Sequence, residues 1–408
     1  MAEFHQEKRR RYTRSTRRPA SSGPEHFEKP GDRITMKKTI LAMAMLAAGM
    51  STASAQTSIS IYGIVDAGVT HVTNDGPTGD RTTVEAGQMQ VSRWGFKGTE
   101  DLGGGLKARF GLEGTLLNDT GAAGVNTGTP PTTSLFDREA TVGLSGAFGS
   151  IDIGRQNILG IGSVGLADPM GLAFAATSPN VLFGAMNFGA VYGGFGANGA
   201  GNSALRQTNS IKYVSPTWAG FGFGLMRAFG EQADGIQKGS YQGASMFYNA
   251  GPFGVAGAYA RLKNNLNTDM LTNYGIGAKF TTARAVIKGT YIHTKVDSSD
   301  RTIAVAGVGV DVPVAPAMTV TGAVYNTKRY GDQFDQDSQQ YHLIGRYALS
   351  KRSTVYAAYS RANTSEVVDL ASGTAAGFGA GIINLAQGVV APGSDQANRF
   401  TVGVMHMF

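Results

Sequence analysis

The chain has 408 residues, of which 58 are glycine, none is cysteine and 16% are charged. Without cysteine it forms neither a disulfide framework nor a thiolate metal site. Its mean hydropathy of −0.11, with no apolar run of about twenty residues, excludes a multi-helix membrane protein. Residues 1–55 hold 11 of the 36 Lys and Arg but only 5 of the 29 Asp and Glu. The remaining chain is nearly neutral, so charge gives no reason to expect nucleic acid as a partner.

Residues 1–35 are rich in arginine and have no apolar periodicity. A basic arm that binds nucleic acid is one interpretation. A better one is that Met36 is the true start, because the segment that follows Met36 has the features of an export signal. We therefore expect residues 1–35 to be a disordered upstream extension without a function of its own.

Residues 36–55 have the three parts of a secretory signal peptide. Two lysines follow the methionine, residues 40–50 form a short apolar run, and a small-x-small cleavage site ends the segment. The apolar run is too short for a transmembrane anchor. We expect cleavage between Ala55 and Gln56, and a mature, exported chain of residues 56–408.

The mature chain alternates apolar and polar residues with a period of two. In LKARFGLEGTLL, for example, Leu106, Phe110 and Leu112 share one parity and Lys107 and Arg109 the other. This alternation predicts strands with one apolar and one polar face. Sixteen segments have this pattern, and most have the length of about nine to fourteen residues that a tilted strand needs to cross a bilayer. They lie at residues 58–73, 84–99, 106–117, 136–147, 151–158, 207–215, 221–229, 241–249, 253–261, 272–280, 284–295, 302–312, 318–328, 340–348, 354–362 and 398–408.

The connections between these segments alternate between seven short turns and eight longer polar loops. This layout is typical of outer-membrane barrels, which have short turns at one end and long loops at the other. The predicted fold class is all-β: a 16-stranded antiparallel up-and-down transmembrane β-barrel, wide enough to hold an aqueous channel. The long loops are predicted at residues 74–83, 118–135, 159–206, 230–240, 262–271, 296–301, 329–339 and 363–397.

Several segments resemble the trimeric general porins of Gram-negative bacteria. They are SISIYGIVDAGV, SRWGFKGTEDLGGGLKARFGLEG, FDREATVGLSGAFGSIDIGRQN, NSIKYVSPTWAGFGFG and the terminal Phe408, and the similarity covers residues 56–408. The resemblance implies a homotrimer in the outer membrane that passes small hydrophilic solutes and ions by passive diffusion. It also implies contact with outer-membrane lipid and lipopolysaccharide, and recognition of Phe408 by the barrel assembly machinery.

The resemblance also implies that the third long loop, residues 159–206, folds back into the pore. The acid-proline pair at its tip matches Asp168–Pro169 in LADPMG, although the second acid that this family carries in the loop is not evident. Asp168 and Glu113 are the predicted acidic side of a pore constriction.

The predicted basic wall of the constriction rests on parity as well as resemblance. Arg93 is its strongest member, because its parity is opposite to that of Trp94 and Phe96 and its side chain should therefore face the lumen. Arg155 shares the parity of two isoleucines, so a structural role is an alternative for it. The full predicted wall is Arg93, Lys97, Arg109, Arg138, Arg155 and Arg206.

Bases outnumber acids at this predicted constriction, and arginine stays charged at any working pH. A mild preference for anions is therefore expected. A substrate-selective channel and a structural or adhesive barrel remain alternatives. An outer-membrane enzyme would need a histidine partner for a Ser or Asp nucleophile, and no flanking motif supports one. The six histidines lack metal spacing, so we expect no metal, no cofactor and no enzyme activity.

Overall fold

The structure is a computed structural model that describes residues 58–73, 80–123, 134–173, 205–230, 233, 235–298, 302–330, 336–364 and 396–408. The expected upstream extension, the signal peptide, its cleavage site at Ala55 and Gln56, and residues 174–204 of the third loop lie outside these ranges. Within them, no helix combines the length and the apolar character needed to cross a membrane.

The described residues form one antiparallel sheet whose first strand pairs with its last, so that the sheet closes into a barrel. In chain order the strands are β1 (Ser58–Val72), β2 (Arg81–Ala86), β3 (Arg93–Gly103), β4 (Leu106–Leu117), β5 (Ala122–Ala123), β6 (Glu139–Gly146), β7 (Gly149–Asn157), β8 (Arg206–Val214), β9 (Phe221–Ala228), β10 (Tyr241–Ala250), β11 (Phe253–Lys263), β12 (Met270–Thr281), β13 (Val286–Val296), β14 (Thr302–Ala315), β15 (Met318–Tyr330), β16 (Gln336–Ala348), β17 (Ser353–Thr364) and β18 (Gln396–Met407).

These strands fill sixteen positions around the barrel. β2 and β3 share one position, because β2 pairs with Ala67–Val72 of β1 and β3 pairs with Ser58–Ile64 of the same strand. β5 is a two-residue strand that pairs with the end of β4. The predicted fold class, a 16-stranded antiparallel up-and-down barrel, is confirmed.

The prediction of a continuous second strand at residues 84–99 was wrong in one respect, because the strand is interrupted at residues 87–92. Gly87 adopts a left-handed conformation with φ of +70°, which turns the chain out of the ladder. The Asp66 carboxylate then accepts hydrogen bonds from the backbone amides of Met89 at 2.6 Å and Gln90 at 2.7 Å. Because a side chain satisfies these amides, the segment leaves the sheet without losing its hydrogen bonds. Residues 87–92 are called the insertion below.

The two faces of the wall differ as the alternation predicts. On β1, Ile59 and Ile61 are each 66% exposed, whereas Asp66 and Thr70 are fully buried. The apolar side chains point outward and the polar ones inward, so the barrel has an apolar outer surface and a polar interior. Paired residues of neighbouring strands share a face, so the inward and outward positions of the other strands follow from their pairing.

The C-terminal residue lies at the seam between β1 and β18. The backbones of Gly63 and Phe408 exchange hydrogen bonds of 3.2 and 3.1 Å. A Cβ atom at Gly63 would come within 2.4 Å of the Phe408 ring, so the absence of a side chain there makes room for the ring. Phe408 therefore helps to close the barrel, and its role as an assembly signal stays a prediction.

Candidate functional site

The candidate site is the charged interior of the barrel, and its centre is a carboxylate that two arginines share. Arg93 begins β3, Glu113 lies on β4 and Arg138 immediately precedes β6. Glu113 accepts a hydrogen bond of 2.6 Å from Nε of Arg138, and its other oxygen lies 3.6 Å from Nε of Arg93. The hydroxyl of Tyr62 also donates to Glu113, at 3.1 Å.

The expectation that Glu113 belongs to an acidic side facing the arginines was wrong. β4 lies between β3 and β6, so its inward side chains are neighbours of the arginines on the same wall. A parity argument assigns a residue to a face of the sheet and carries no information about which side chains lie across the barrel. Glu113 therefore holds two like charges together, and they need such a counter-charge.

Arg155 and Arg206 extend this group along β7 and β8. Nε of Arg155 donates to the backbone carbonyl of Asp137 at 2.5 Å, where the register between β7 and β8 shifts. Arg206 is buried, its Nε has no hydrogen-bond partner among the described residues, and its charged neighbours include Arg138, Arg155 and Asp137. Arg93, Arg138, Arg155 and Arg206 are called the arginine cluster below.

Two other predicted bases lie on the same wall but have different partners. Arg109 forms a two-point ion pair with Asp152 on β7, with 2.7 Å between Nε and Oδ1. Nζ of Lys97 lies over the ring of Tyr62, 4.8 Å from its centroid. The charge of Arg109 is thus balanced locally, and Lys97 makes a cation–π contact.

The first part of the third loop lies against the inner face of the barrel. It contains a short helix, α1 (Leu159–Gly162), and a single 3₁₀ turn, Val164–Ala167. A Cβ atom at Gly277 of β12 would lie 2.8 Å from the carbonyl oxygen of Val164 and 2.9 Å from Cβ of Ala167. At Gly309 of β14 it would lie 2.8 Å from Cβ of Pro169. The inward glycines of these strands therefore make room for the loop.

Asp168 fastens this part of the loop to the wall. The hydroxyl of Tyr325 donates to its Oδ1 at 2.8 Å, and the amide of Leu172 donates to its Oδ2 at 2.7 Å. The same hydroxyl accepts a hydrogen bond of 3.1 Å from the amide of Met170. Nζ of Lys288 approaches the carbonyl oxygen of Pro169 at 3.4 Å. We call the hydrogen bonds that join Asp168, Met170, Leu172 and Tyr325 the loop latch.

The expectation that Asp168 presents its charge to the pore is therefore corrected. Its side chain is only 1% exposed, and both of its oxygens accept hydrogen bonds within the loop latch. Burial raises the pKa of Asp168 to about 6, because the charged form loses its hydration there. Asp168 therefore positions the loop. Its parity and its neighbouring proline gave no indication in the sequence that its side chain would be buried.

Sequence reasoning missed the insertion at residues 87–92, which reaches the same loop. Nε2 of Gln90 donates to the carbonyl oxygen of Gly171 at 3.3 Å. The hydroxyl of Tyr356 donates to Asp66 at 2.6 Å and so helps to hold the carboxylate that anchors the insertion. The one signal in the sequence is GQMQVS, where the phase of the alternation inverts after a glycine: Met89 and Val91 take odd positions, whereas the apolar residues on either side take even ones.

Replacing Gly277 with valine should loosen the loop. The new side chain would meet Val164 and Ala167 at distances shorter than normal contact, and such overpacking costs about 1–3 kcal/mol. We expect a lower thermal unfolding midpoint for the refolded protein. Gly322→Val on β15 is the control, since a Cβ atom there has no neighbour within 4 Å. Equal midpoints for the two variants would show that the glycine is not needed for loop packing.

Comparisons with known proteins agree with this architecture. A family model described as Gram-negative porin matches residues 41–366. Outer membrane porin protein 32 of Delftia acidovorans is 32% identical over 339 residues, which cover 79% of this chain and 88% of that protein. An outer membrane porin of Bordetella pertussis is 28% identical over 404 residues, covering 84% and 99%. The structure of an anion-selective porin from Comamonas acidovorans matches with a TM-score of 0.72 at 25% identity, covering 86% of this chain and all of that one.

Proposed function

The chain belongs to the Gram-negative porin family and is an outer-membrane channel for passive diffusion, and we propose that the arginine cluster gives this channel a mild preference for anions. The observation that carries the proposal is the imbalance of charge on one wall. Four guanidinium groups surround the carboxylates of Glu113 and Asp137, and Asp137 is also held by two hydrogen bonds from Thr115.

The physical argument concerns the energy of an ion that passes this wall. Rings of basic side chains in a narrow pore lower the energy of anions and raise that of cations. At about 8 Å, with an effective dielectric constant of about 40, one unit charge changes the energy of a passing ion by roughly 1 kcal/mol. The excess of two cations in the cluster is enough for a measurable preference. The anion-selective porin of Comamonas acidovorans, which has the same fold, supports the proposal.

Other parts of the proposal rest on the family and on the sequence. We propose that the protein is a homotrimer that contacts outer-membrane lipid and lipopolysaccharide. The barrel assembly machinery would read Phe408, and residues 36–55 would be removed as a signal peptide. The family and the matched relatives are channels, and we assign the barrel no catalytic role.

A planar-bilayer recording of the refolded protein tests the channel function. A general diffusion pore should give a linear current–voltage relation, with a conductance that rises in proportion to salt concentration. Block of that current by one organic anion at low concentration would instead identify a substrate-selective channel. Absence of conductance from correctly folded protein would contradict the proposal and favour a structural or adhesive barrel.

The loop latch gives the channel a dependence on pH. Burial raises the pKa of Asp168 from 3.8 to about 6, so its carboxylate takes up a proton in the folded protein as pH falls below about 6. The ionised form is the one that burial disfavours, so acid should not release the loop. Losing this negative charge beside Lys288 should raise the anion preference between pH 7 and pH 5.

The test of this pH dependence is the selectivity of Asp168→Asn. The variant should have the acid-pH selectivity of the wild type already at pH 7, and a smaller change between the two pH values. An unchanged pH profile in the variant would assign the effect to another group.

A further inference from the structure

A second group of charged side chains lies on the inner wall, away from the arginine cluster. Lys288 of β13 forms an ion pair of 2.7 Å with Asp311 of β14. Arg346 of β16 lies 3.3 Å from the other oxygen of Asp311 and also donates to the hydroxyl of Thr321. Lys279 of β12 is the direct cross-strand partner of Lys288. Lys279, Lys288, Asp311 and Arg346 are called the second cluster.

The second cluster carries more positive charge than its acid can balance. Lys288 and Arg346 share the Asp311 carboxylate, Asp168 lies near Lys288, and Lys279 has no ion pair in the described part of the chain. Like charges directly opposite each other on neighbouring strands destabilise a sheet unless a counter-ion is present. On the inner faces of β9 to β17, the charged side chains that the structure describes all belong to this cluster.

The second cluster retains the capacity to bind a ligand. The side chains of Lys288, Asp311 and Arg346 are 13%, 17% and 26% exposed, so water and small ions reach them. Nε of Arg346 has no hydrogen-bond partner among the described residues. Ammonium and guanidinium groups offer several donors in addition to those that Asp311 occupies.

The position of the second cluster separates it from the arginine cluster. The arginines lie on β3, immediately before β6, on β7 and on β8. The second cluster lies on β12, β13, β14 and β16, across the barrel. Lys288 lies two residues after the start of β13, and Arg346 two residues before the end of β16, both next to short turns. Arg138 and Arg206 lie at the opposite, long-loop ends of β6 and β8.

We propose that the second cluster is a binding station for small oxyanions of charge two or more, arranged in series with the arginine cluster. An anion that leaves the arginines would next meet the ammonium groups of Lys279 and Lys288 and the guanidinium of Arg346. A divalent oxyanion matches the excess of positive charge and the spare N–H donors of these side chains, whereas a monovalent halide uses fewer of the donors. The inference rests on the proposed channel function and specifies its ligand class.

The test uses sulfate as the probe, because it is divalent at any working pH. Chloride current through single channels is recorded while sulfate is added, and the half-blocking concentration is measured. The double variant Lys288→Gln, Arg346→Gln should raise that concentration by roughly threefold or more, since two attractive charges are lost. Asp311→Asn should lower it, because the same cations lose their competing acid.

Two further variants keep the result interpretable. Lys279→Gln removes a cation without breaking a described ion pair, so it should weaken sulfate block even if the other variants fold poorly. Arg261→Gln, whose side chain is exposed on the outer face and contacts Tyr259, should leave the block unchanged. Folding of each variant is checked by its heat-modifiable mobility in gels.

The outcomes separate this inference from the proposed function. If sulfate blocks both the double variant and Lys279→Gln as strongly as the wild type, the second cluster is not the binding site. The proposed channel function would still stand, provided that these variants conduct chloride. Loss of sulfate block in a variant of Arg93 alone would assign binding to the arginine cluster. A wild-type protein that folds but does not conduct would contradict the proposed function itself.

Discussion

Replacing both Arg93 and Arg138 with glutamine should reduce the anion preference of the channel by roughly fivefold or more, given about 1 kcal/mol per charge at this distance. The change removes two of the four cations in the arginine cluster and leaves the Glu113 carboxylate without its ion pairs. The group formed by the arginine cluster, Glu113 and Asp137 then changes from net positive to net neutral. The measurement is the zero-current potential across a salt gradient, compared with that of the wild type.

The matched control removes a neighbouring ion pair without changing the net charge. Arg109→Gln combined with Asp152→Asn deletes the pair between β4 and β7 and should leave selectivity almost unchanged. Glu113→Gln should act in the opposite direction and raise the anion preference. A double arginine variant with wild-type selectivity would show that these arginines lie outside the part of the pore that selects ions.

Replacing Tyr325 with phenylalanine should release the loop latch and make the open-channel current larger and noisier. The hydroxyl both donates to Asp168 and accepts from the amide of Met170, so its loss removes one of the hydrogen bonds of a buried carboxylate and leaves a buried amide without this partner. Leaving a buried polar group unpaired costs about 1–3 kcal/mol, which is enough to populate a detached loop. Single-channel recording measures both the amplitude and the noise.

Tyr359→Phe is the control for the loss of a tyrosine hydroxyl. Its hydroxyl donates to Asn398 at 2.9 Å on the exposed outer face of the barrel, away from the loop. We expect wild-type current from this variant. If the open-channel current of Tyr325→Phe is no larger and no noisier than that of this control, the hydrogen bonds of the loop latch do not hold the loop in place.

The sequence was sufficient for the barrel and for the faces of its strands, because both follow from local patterns. Arg93 could be assigned to the inner face from its position next to Trp94, since alternation within one strand decides that question. Asp168 could not be assigned in the same way. Its environment is formed by Tyr325 and Lys288, more than a hundred residues away, and only the closed barrel brings these side chains together.

The interruption between β2 and β3 illustrates the same limit. Residues 84–99 alternate well enough to predict a continuous strand, but Asp66 on the neighbouring strand competes for the amides of Met89 and Gln90. A tertiary hydrogen bond thus overrides a local pattern. Gln90 then reaches Gly171, so the insertion and the loop meet inside the barrel.

The second cluster changes the electrostatic picture that the sequence predicted. Facing basic and acidic walls were expected, with Asp168 and Glu113 opposite the arginines. In the described residues Glu113 lies among the arginines, Asp168 is buried, and the wall across the barrel carries Lys279, Lys288 and Arg346 against Asp311. Positive charge in excess on both walls favours anions along a longer part of the path than a single ring would.

The central claim is that the interior of this porin selects for anions, and the zero-current potential of the wild-type channel across a potassium chloride gradient tests it most directly. We predict that the dilute compartment becomes electrically negative, because chloride crosses more readily than potassium. A positive dilute compartment would mean that potassium crosses more readily, and it would contradict the assignment of selectivity to the arginine cluster.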